Sequence, residues 1–381
     1  MAKETRMIDD SQSVPPATHA SERLVSLDAL RGFDMFCIIG GDQLVRQAAK
    51  LNDWPWLDWM SEQAHHPEWH GFTFYDLIFP LFLFLAGVSM PFSFEKRLGR
   101  GETKGQLYRH VLIRCLTLVV LGLILNGLLK LDFQNMRYPH VLARIGLAYA
   151  FAAVIMLNTN WCGQLLWIAG LLVGYWAALK FIPVPEFGAG DLAPGHTLTD
   201  YLDRLLLPGK LYKEVRDPEG ILSTVPAIAT ALSGALAGQL LKKPDVTGAM
   251  KSLLLALAGV ACLAAAWMWN HEFPINKNLW SSSFVLHCSG WSLLLLATFY
   301  LVIDVWKLRS WAFFFVVIGS NSILIYVAQR VFDLGHTRDY LFGGVLSLTG
   351  DWQPMLSVVA YIVVEWLLLY LLYRNRIFLR V

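Results

Sequence analysis

The sequence predicts an all-α fold, a polytopic helical bundle of about ten transmembrane helices. Three observations predict it. The chain is 56% hydrophobic and only 16% charged, where soluble proteins carry about 25% charged residues. Apolar runs recur at about the 20 residues that cross a bilayer. Lys and Arg collect in alternate short loops, the bias that marks a cytoplasmic side.

The chain in order justifies each element. Residues 1–22 are polar, contain Pro15-Pro16 and lead into no apolar core with a cleavage site, so they read as a disordered cytoplasmic tail. Residues 23–381 read as one transmembrane domain. Its first span, 27–49, carries Asp28, Arg31, Asp34 and Asp42, too polar for a signal peptide. Spans follow near 74–94, 110–130, 138–157 and 162–182. The stretch 183–220 is a long periplasmic loop, Pro- and Gly-rich at first and then helical in pattern at YLDRLLLPG. Asp217-Pro218-Glu219 supplies a helix start, with a cap, a proline at the first turn and an acid after it. Further spans lie near 221–241, 249–270, 281–304, 311–332 and 355–373. Lys96, Arg97, Arg100, Lys104 and Arg109 follow the second span, Lys242 and Lys243 the sixth, and Lys307 and Arg309 the eighth. With both termini inside, all of these fall on the cytoplasmic face, and residues 64–73 open to the outside.

The formal net charge of +2 provides no basic field for nucleic acid. Membrane lipid is the expected surrounding partner. Cys37, Cys115, Cys162, Cys262 and Cys288 lie in or beside apolar runs, as buried small hydrophobes do, with neither metal spacing nor a disulfide framework.

Chemistry concentrates in HHPEWHGFTFYD, where His65, His66, Glu68, Trp69, His70 and Asp76 crowd the mouth of the second span. Titratable groups at a membrane mouth mark a functional site by default. Imidazole exchanges protons near neutral pH and suits general base work on an amine or hydroxyl, and the alternative is a set of wet loop histidines. No matching ligands elsewhere favour a metal. Asp76 either orients a histidine or simply complements the positive end of its helix. Asp28 and Arg31, three apart, share a helix face, either as an anchor for the helix end or as a cytoplasmic site for an anionic cofactor together with Arg23. Asp42, beside Gly40 and Gly41, is costly in a span unless paired or wet. Asn276, Lys277 and Asn278, in FPINKNLW, offer a polar grip for a sugar.

Taken in order, the blocks RLVSLDALRG, H-x-x-W-x-G-x-T-x-x-DLIFP-x-F-x-F-x-x-G-x-S, RIGLAYA, DPEGILST, PINKNLW, NSILIYV and YRNRIF resemble the heparan-α-glucosaminide N-acetyltransferase family in its short bacterial form. The resemblance runs from Arg23 to Phe378. It implies an enzyme that takes acetyl from cytosolic acetyl-CoA and delivers it across the membrane to the amine of a glucosamine-type sugar. The family's active histidine falls on His66, three residues before Trp69 and five before Gly71. The family's asparagine in the first span is Asp42 here, a departure that bears on which acceptor is bound. A homodimer and a place in the bacterial inner membrane are also implied.

On this reading His66 takes the proton as the amine attacks the thioester, with Asp76 or Asp42 orienting the imidazole. Trp69, Asn276, Lys277 and Asn278 contact the sugar, and Arg23, Asp28 and Arg31 serve the cofactor. A covalent acetyl-histidine is the mechanistic rival. Two other functions compete: an amino-sugar transporter, which suits the polar first span, and an O-acyltransferase acting on a cell-envelope glycan.

Overall fold

The computed structural model describes residues 24–379, so the predicted tail 1–22 and Arg23 lie outside the described residues. Among the described residues there is no strand, only two isolated bridges, Arg137 with Gly209 and Val184 with Gly188. The α-helices are α1 (Val25–Phe36), α2 (Asp42–Leu51), α3 (Pro55–Gln63), α4 (Ile78–Leu98), α5 (Lys104–Leu125), α6 (Val141–Asn158), α7 (Trp161–Phe181) and α8 (Leu198–Leu206). They continue with α9 (Thr224–Lys242), α10 (Gly248–Trp269), α11 (Ser282–Phe299), α12 (Phe313–Gly319), α13 (Ser322–Val331), α14 (Leu334–Leu346) and α15 (Gln353–Arg374).

Each of the ten predicted segments is helical, but they are not equal. Eight helices are long and apolar enough to cross a membrane, and a ninth if α12 and α13, bent by 67° at Ser320–Asn321, count as one. The segment that does not qualify is the first. A π-helical turn at Cys37–Gly41 breaks it, with Gly40 at φ 146, a conformation that L side chains rarely adopt. Gly40 turns against Ile362 of α15. Beyond the turn, α2 is polar on one side and carries Asp42, Arg46 and Lys50. The predicted helical pattern in the long loop is α8, and α14 is a helix that the apolar runs did not reveal.

α4 and α9 form the middle of the bundle. A Cβ on Gly234 would lie 2.0 Å from the Phe84 carbonyl oxygen, and one on Gly87 2.1 Å from that of Ala231. Only glycine lets the two backbones approach this closely. α5, α7 and α10 lie against this pair and α15 against α12 and α2, and they turn Leu112, Leu116, Leu166, Trp167, Leu257 and Leu371 outward, the exposed apolar belt expected of lipid-facing helices.

The connections sort to two ends. At one end the histidine loop meets the loops around residues 137, 192–220 and 270–281. At the other, Lys242 pairs with Glu95 at 2.8 Å, and Asn158 donates to Tyr108 at 2.7 Å. A cavity of about 540 Å³ opens there among Pro91, Phe94, Glu95, Gln164, Gln239 and Lys242.

Candidate functional site

The start of α4 sets the geometry. Thr73 and Asp76 form a reciprocal helix cap: the Asp76 amide donates to the Thr73 carbonyl at 3.0 Å, and Asp76 Oδ2 accepts from the Thr73 amide at 3.2 Å. The Thr73 hydroxyl also donates to the His65 carbonyl at 2.6 Å, which ties the histidine loop to the helix end. Asp76 is completely buried. A buried carboxylate is tolerable where helix amides and a cation face it.

The second oxygen is left for the site. His66 Nδ1 lies 2.6 Å from Asp76 Oδ1, and the imidazole remains 47% exposed while the carboxylate is sealed. Nδ1–H therefore donates inward and Nε2 is left for solvent or substrate. His65 does not compete for this place, because its Nδ1 lies 2.7 Å from the Ser61 carbonyl in the last turn of α3. Tyr75 packs on the His66 ring with centroids 5.0 Å apart.

Lys277 closes the cluster from a loop that lies 211 residues away in the chain. Its Nζ is 3.1 Å from His66 Nε2, 3.3 Å from Nδ1 and 3.5 Å from Asp76 Oδ1. Near-equal distances to both ring nitrogens put the ammonium over the ring rather than on a lone pair. Burial pushes the Lys277 ammonium below the usual lysine range, against the opposing pull of Asp76 and Glu219.

The other sugar-grip candidates are placed differently. Asn276 is buried; its amide donates to His70 Nδ1 at 3.2 Å and its carbonyl accepts from the Leu279 amide at 3.0 Å. It braces two loops. Asn278 is half-buried next to it. Trp69 donates its indole N–H to the Leu192 carbonyl at 2.9 Å, and the Arg216 guanidinium covers its ring at 4.2 Å. Trp69 thus fastens the histidine loop to the long loop, with its polar atom already engaged.

Asp42 pairs with Arg46 one turn along α2, not with His66. Asp28 lies 3.5 Å from Arg31, and the Arg31 guanidinium donates to the Ser89 hydroxyl. Ser89 lies thirteen residues beyond Asp76, about 20 Å along the helix at 1.5 Å per residue. The Asp28–Arg31 pair and the His66 cluster therefore belong to opposite ends of the bundle. Arg23 lies outside the described residues. Among the described residues, no group of three His, Cys, Asp or Glu side chains could hold a metal ion.

Two arginines near the site find partners that the sequence alone did not assign. Arg137 grips Asp217 at 2.7 and 2.5 Å and also pairs with Glu219. Arg144, in the first turn of α6, is only 1% exposed, bonds to the Ser223 hydroxyl, and lies 3.4 Å from the Gly220 carbonyl. Both hold the Asp217–Thr224 segment against the start of α6. Arg144 opens the block RIGLAYA and Asp217 and Glu219 lie in DPEGILST, but nothing local paired them.

No family model matches the chain. It is 30% identical to the heparan-alpha-glucosaminide N-acetyltransferase of Homo sapiens, over 83% of this chain and 55% of that protein. It is 31% identical to the Mus musculus protein of the same name, over 70% of this chain and 49% of that protein. The chain thus spans about half the length of these curated relatives.

Proposed function

The chain belongs to the heparan-alpha-glucosaminide N-acetyltransferase family, and from that premise we propose that it transfers acetyl across a bacterial cytoplasmic membrane. The donor is acetyl-CoA at the inner face. The acceptor is the amine of a glucosamine-type sugar at the outer, periplasmic face. The observation that carries this reading is the contact of His66 Nδ1 with the sealed Asp76 carboxylate at 2.6 Å, which leaves Nε2 at the open mouth.

The chemistry follows from that tautomer. The incoming ammonium first gives up one proton to solvent, and the free amine attacks the acetyl carbonyl carbon. As the C–N bond forms, His66 Nε2 takes a second proton from that nitrogen, the C–S bond breaks, and the proton held at Nε2 passes to the departing thiolate. Asp76 keeps Nδ1 protonated and stabilises the imidazolium while it lasts. Lys277, over the ring, opposes that charge and speeds return of the proton.

The cations at the far end fit a donor that carries phosphates: Arg31 beside Ser89, and Lys96 and Arg97 at the foot of α4. The acetyl thioester then crosses about 20 Å between the helices to reach the mouth. The basic short loops support the assignment of that end to the cytoplasm.

The test is release of free CoA by purified protein given acetyl-CoA and glucosamine, for wild type and His66→Ala. Release by wild type that is lost in the variant supports the reading. No release by folded wild type, with longer glucosaminyl acceptors as well, overturns it.

A further inference from the structure

Arg144 and Trp280 bring together buried hydrogen-bond donors that lack acceptors. Arg144 Nε and Nη1 and Trp280 Nε1 are buried and have no acceptor among the described residues. The Arg144 guanidinium rests 4.9 Å from the centroid of the Trp280 ring, so the two side chains that carry these N–H groups are in contact. Buried donors without acceptors are rare in native structures, and each calls for a partner.

Their position relates them to the site. Trp280 ends the turn that begins at Lys277, its amide donating to the Lys277 carbonyl at 3.1 Å, and Lys277 in turn reaches over His66. The Trp280 ring packs edge-on against Phe79 at 5.0 Å. Phe79 follows Asp76 by three residues, about 4.5 Å farther along α4 towards the bundle interior. The Trp280 ring thus lies against α4 on the interior side of Asp76, with Arg144 upon it, and a thioester arriving between the helices comes from that side. Trp280 itself adopts φ 52, a conformation costly for a bulky residue and often concentrated at functional sites.

We propose that Arg144 and the Trp280 indole N–H bind the acetyl carbonyl oxygen and stabilise the oxyanion formed during transfer. This rests on the acetyltransferase reading above. When the amine nitrogen bonds to the carbonyl carbon, the C=O π pair moves to oxygen and is held by these donors. When the pair returns, the C–S bond breaks and sulfur leaves with its electrons, to take the proton that His66 removed from nitrogen. A guanidinium and an indole N–H in a water-poor site need no reorganisation as that charge develops.

Trp280→Phe removes one donor while keeping the ring under Arg144 and against Phe79. Arg144→Lys keeps the charge and removes the fork. Each is expected to lower kcat about 100-fold with KM for the amino sugar within about twofold, the effect of losing an oxyanion donor, and with the thermal midpoint of Trp280→Phe near wild type. Folded variants with wild-type kcat overturn the proposal, as does a loss of rate that follows only a raised KM or a collapsed midpoint. Wild type that releases no CoA defeats the acetyltransferase reading instead, so the two failures are distinguishable.

Discussion

Asp76 divides its two oxygens, giving Oδ1 to His66 Nδ1 at 2.6 Å and Oδ2 to the Thr73 amide at 3.2 Å. One carboxylate thus starts a helix and fixes a tautomer. In Asp76→Asn a single carbonyl oxygen remains for two donors, so either the cap or the imidazole loses its acceptor. The expected result is a fall in kcat of about 10²–10³-fold with little change in acceptor KM, and a stability loss of about 1 kcal/mol from the weakened cap. CoA release and thermal unfolding measure the two effects separately. Activity within fivefold of wild type would remove Asp76 from the mechanism.

Lys277 offers a prediction in pH. Burial pushes its ammonium below the ordinary lysine range, so as pH rises the charge over the His66 ring disappears earlier than it would on an exposed lysine. If that charge assists proton return, wild-type kcat/KM falls on the alkaline side before the ordinary lysine range of about 10.4 is reached. Lys277→Arg, which stays charged, is expected to extend the plateau to higher pH. Identical alkaline limbs in the two proteins would show that Lys277 does not set this one.

How much of this was legible in the sequence depends on how local the cause was. Apolar runs located the spans because burial in lipid is decided residue by residue. His66 and Asp76 were legible because the cap at Thr73–Asp76 and the histidine loop are neighbours in the chain. The break at Gly40 was not, because it answers to Ile362 on the last helix. Asp42 read as a candidate to orient the imidazole, yet Arg46, one turn on, takes its carboxylate. Asn276 and Trp69 read as sugar contacts, and their polar atoms are engaged by His70, Leu279 and Leu192. The pairing of Arg137 with Asp217 spans 80 residues, and no local pattern foretells such a partner.

Asp203, in the loop helix α8, carries a prediction about stability. Burial, reinforced by Asp217 and Asp200 and opposed by the Ile221 amide, pushes its carboxyl up to about 7. The folded chain therefore keeps a proton that the unfolded chain releases near pH 3.8. Between those values the folded state binds more protons, so stability falls as pH rises from about 4 to about 7 and levels off above. Asp203→Asn keeps an acceptor for the Ile221 amide, 2.9 Å away, without the ionisation. The variant is expected to unfold at a higher temperature than wild type at pH 8. The gap corresponds to a few kcal/mol, at about 1.4 kcal/mol for each pH unit that separates the folded and unfolded titrations. The two proteins are expected to converge near pH 4. A difference independent of pH would sink this account.

The face of α4 that receives the donor can be found by comparing two cations on opposite sides of that helix. Arg31 reaches that helix at Ser89. The cavity lined by Pro91, Phe94, Glu95 and Lys242 lies elsewhere around it, since positions 91, 94 and 95 are turned roughly 140–240° from 89 at 3.6 residues per turn. Lys242 is held by Glu95 at 2.8 Å, and an anion would have to compete with that close carboxylate. Arg31 lies 3.5 Å from Asp28 and donates to the neutral Ser89 hydroxyl. On the proposed reading the donor's phosphates meet the Arg31 face. Arg31→Ala is expected to raise KM for acetyl-CoA about tenfold or more, as loss of a charge-assisted contact does, with KM for the amino sugar unchanged, and Lys242→Ala is expected to leave both near wild type. The reverse pattern would move the donor to the cavity between α4 and α9, and its thioester would then approach His66 along the other side of the central helix.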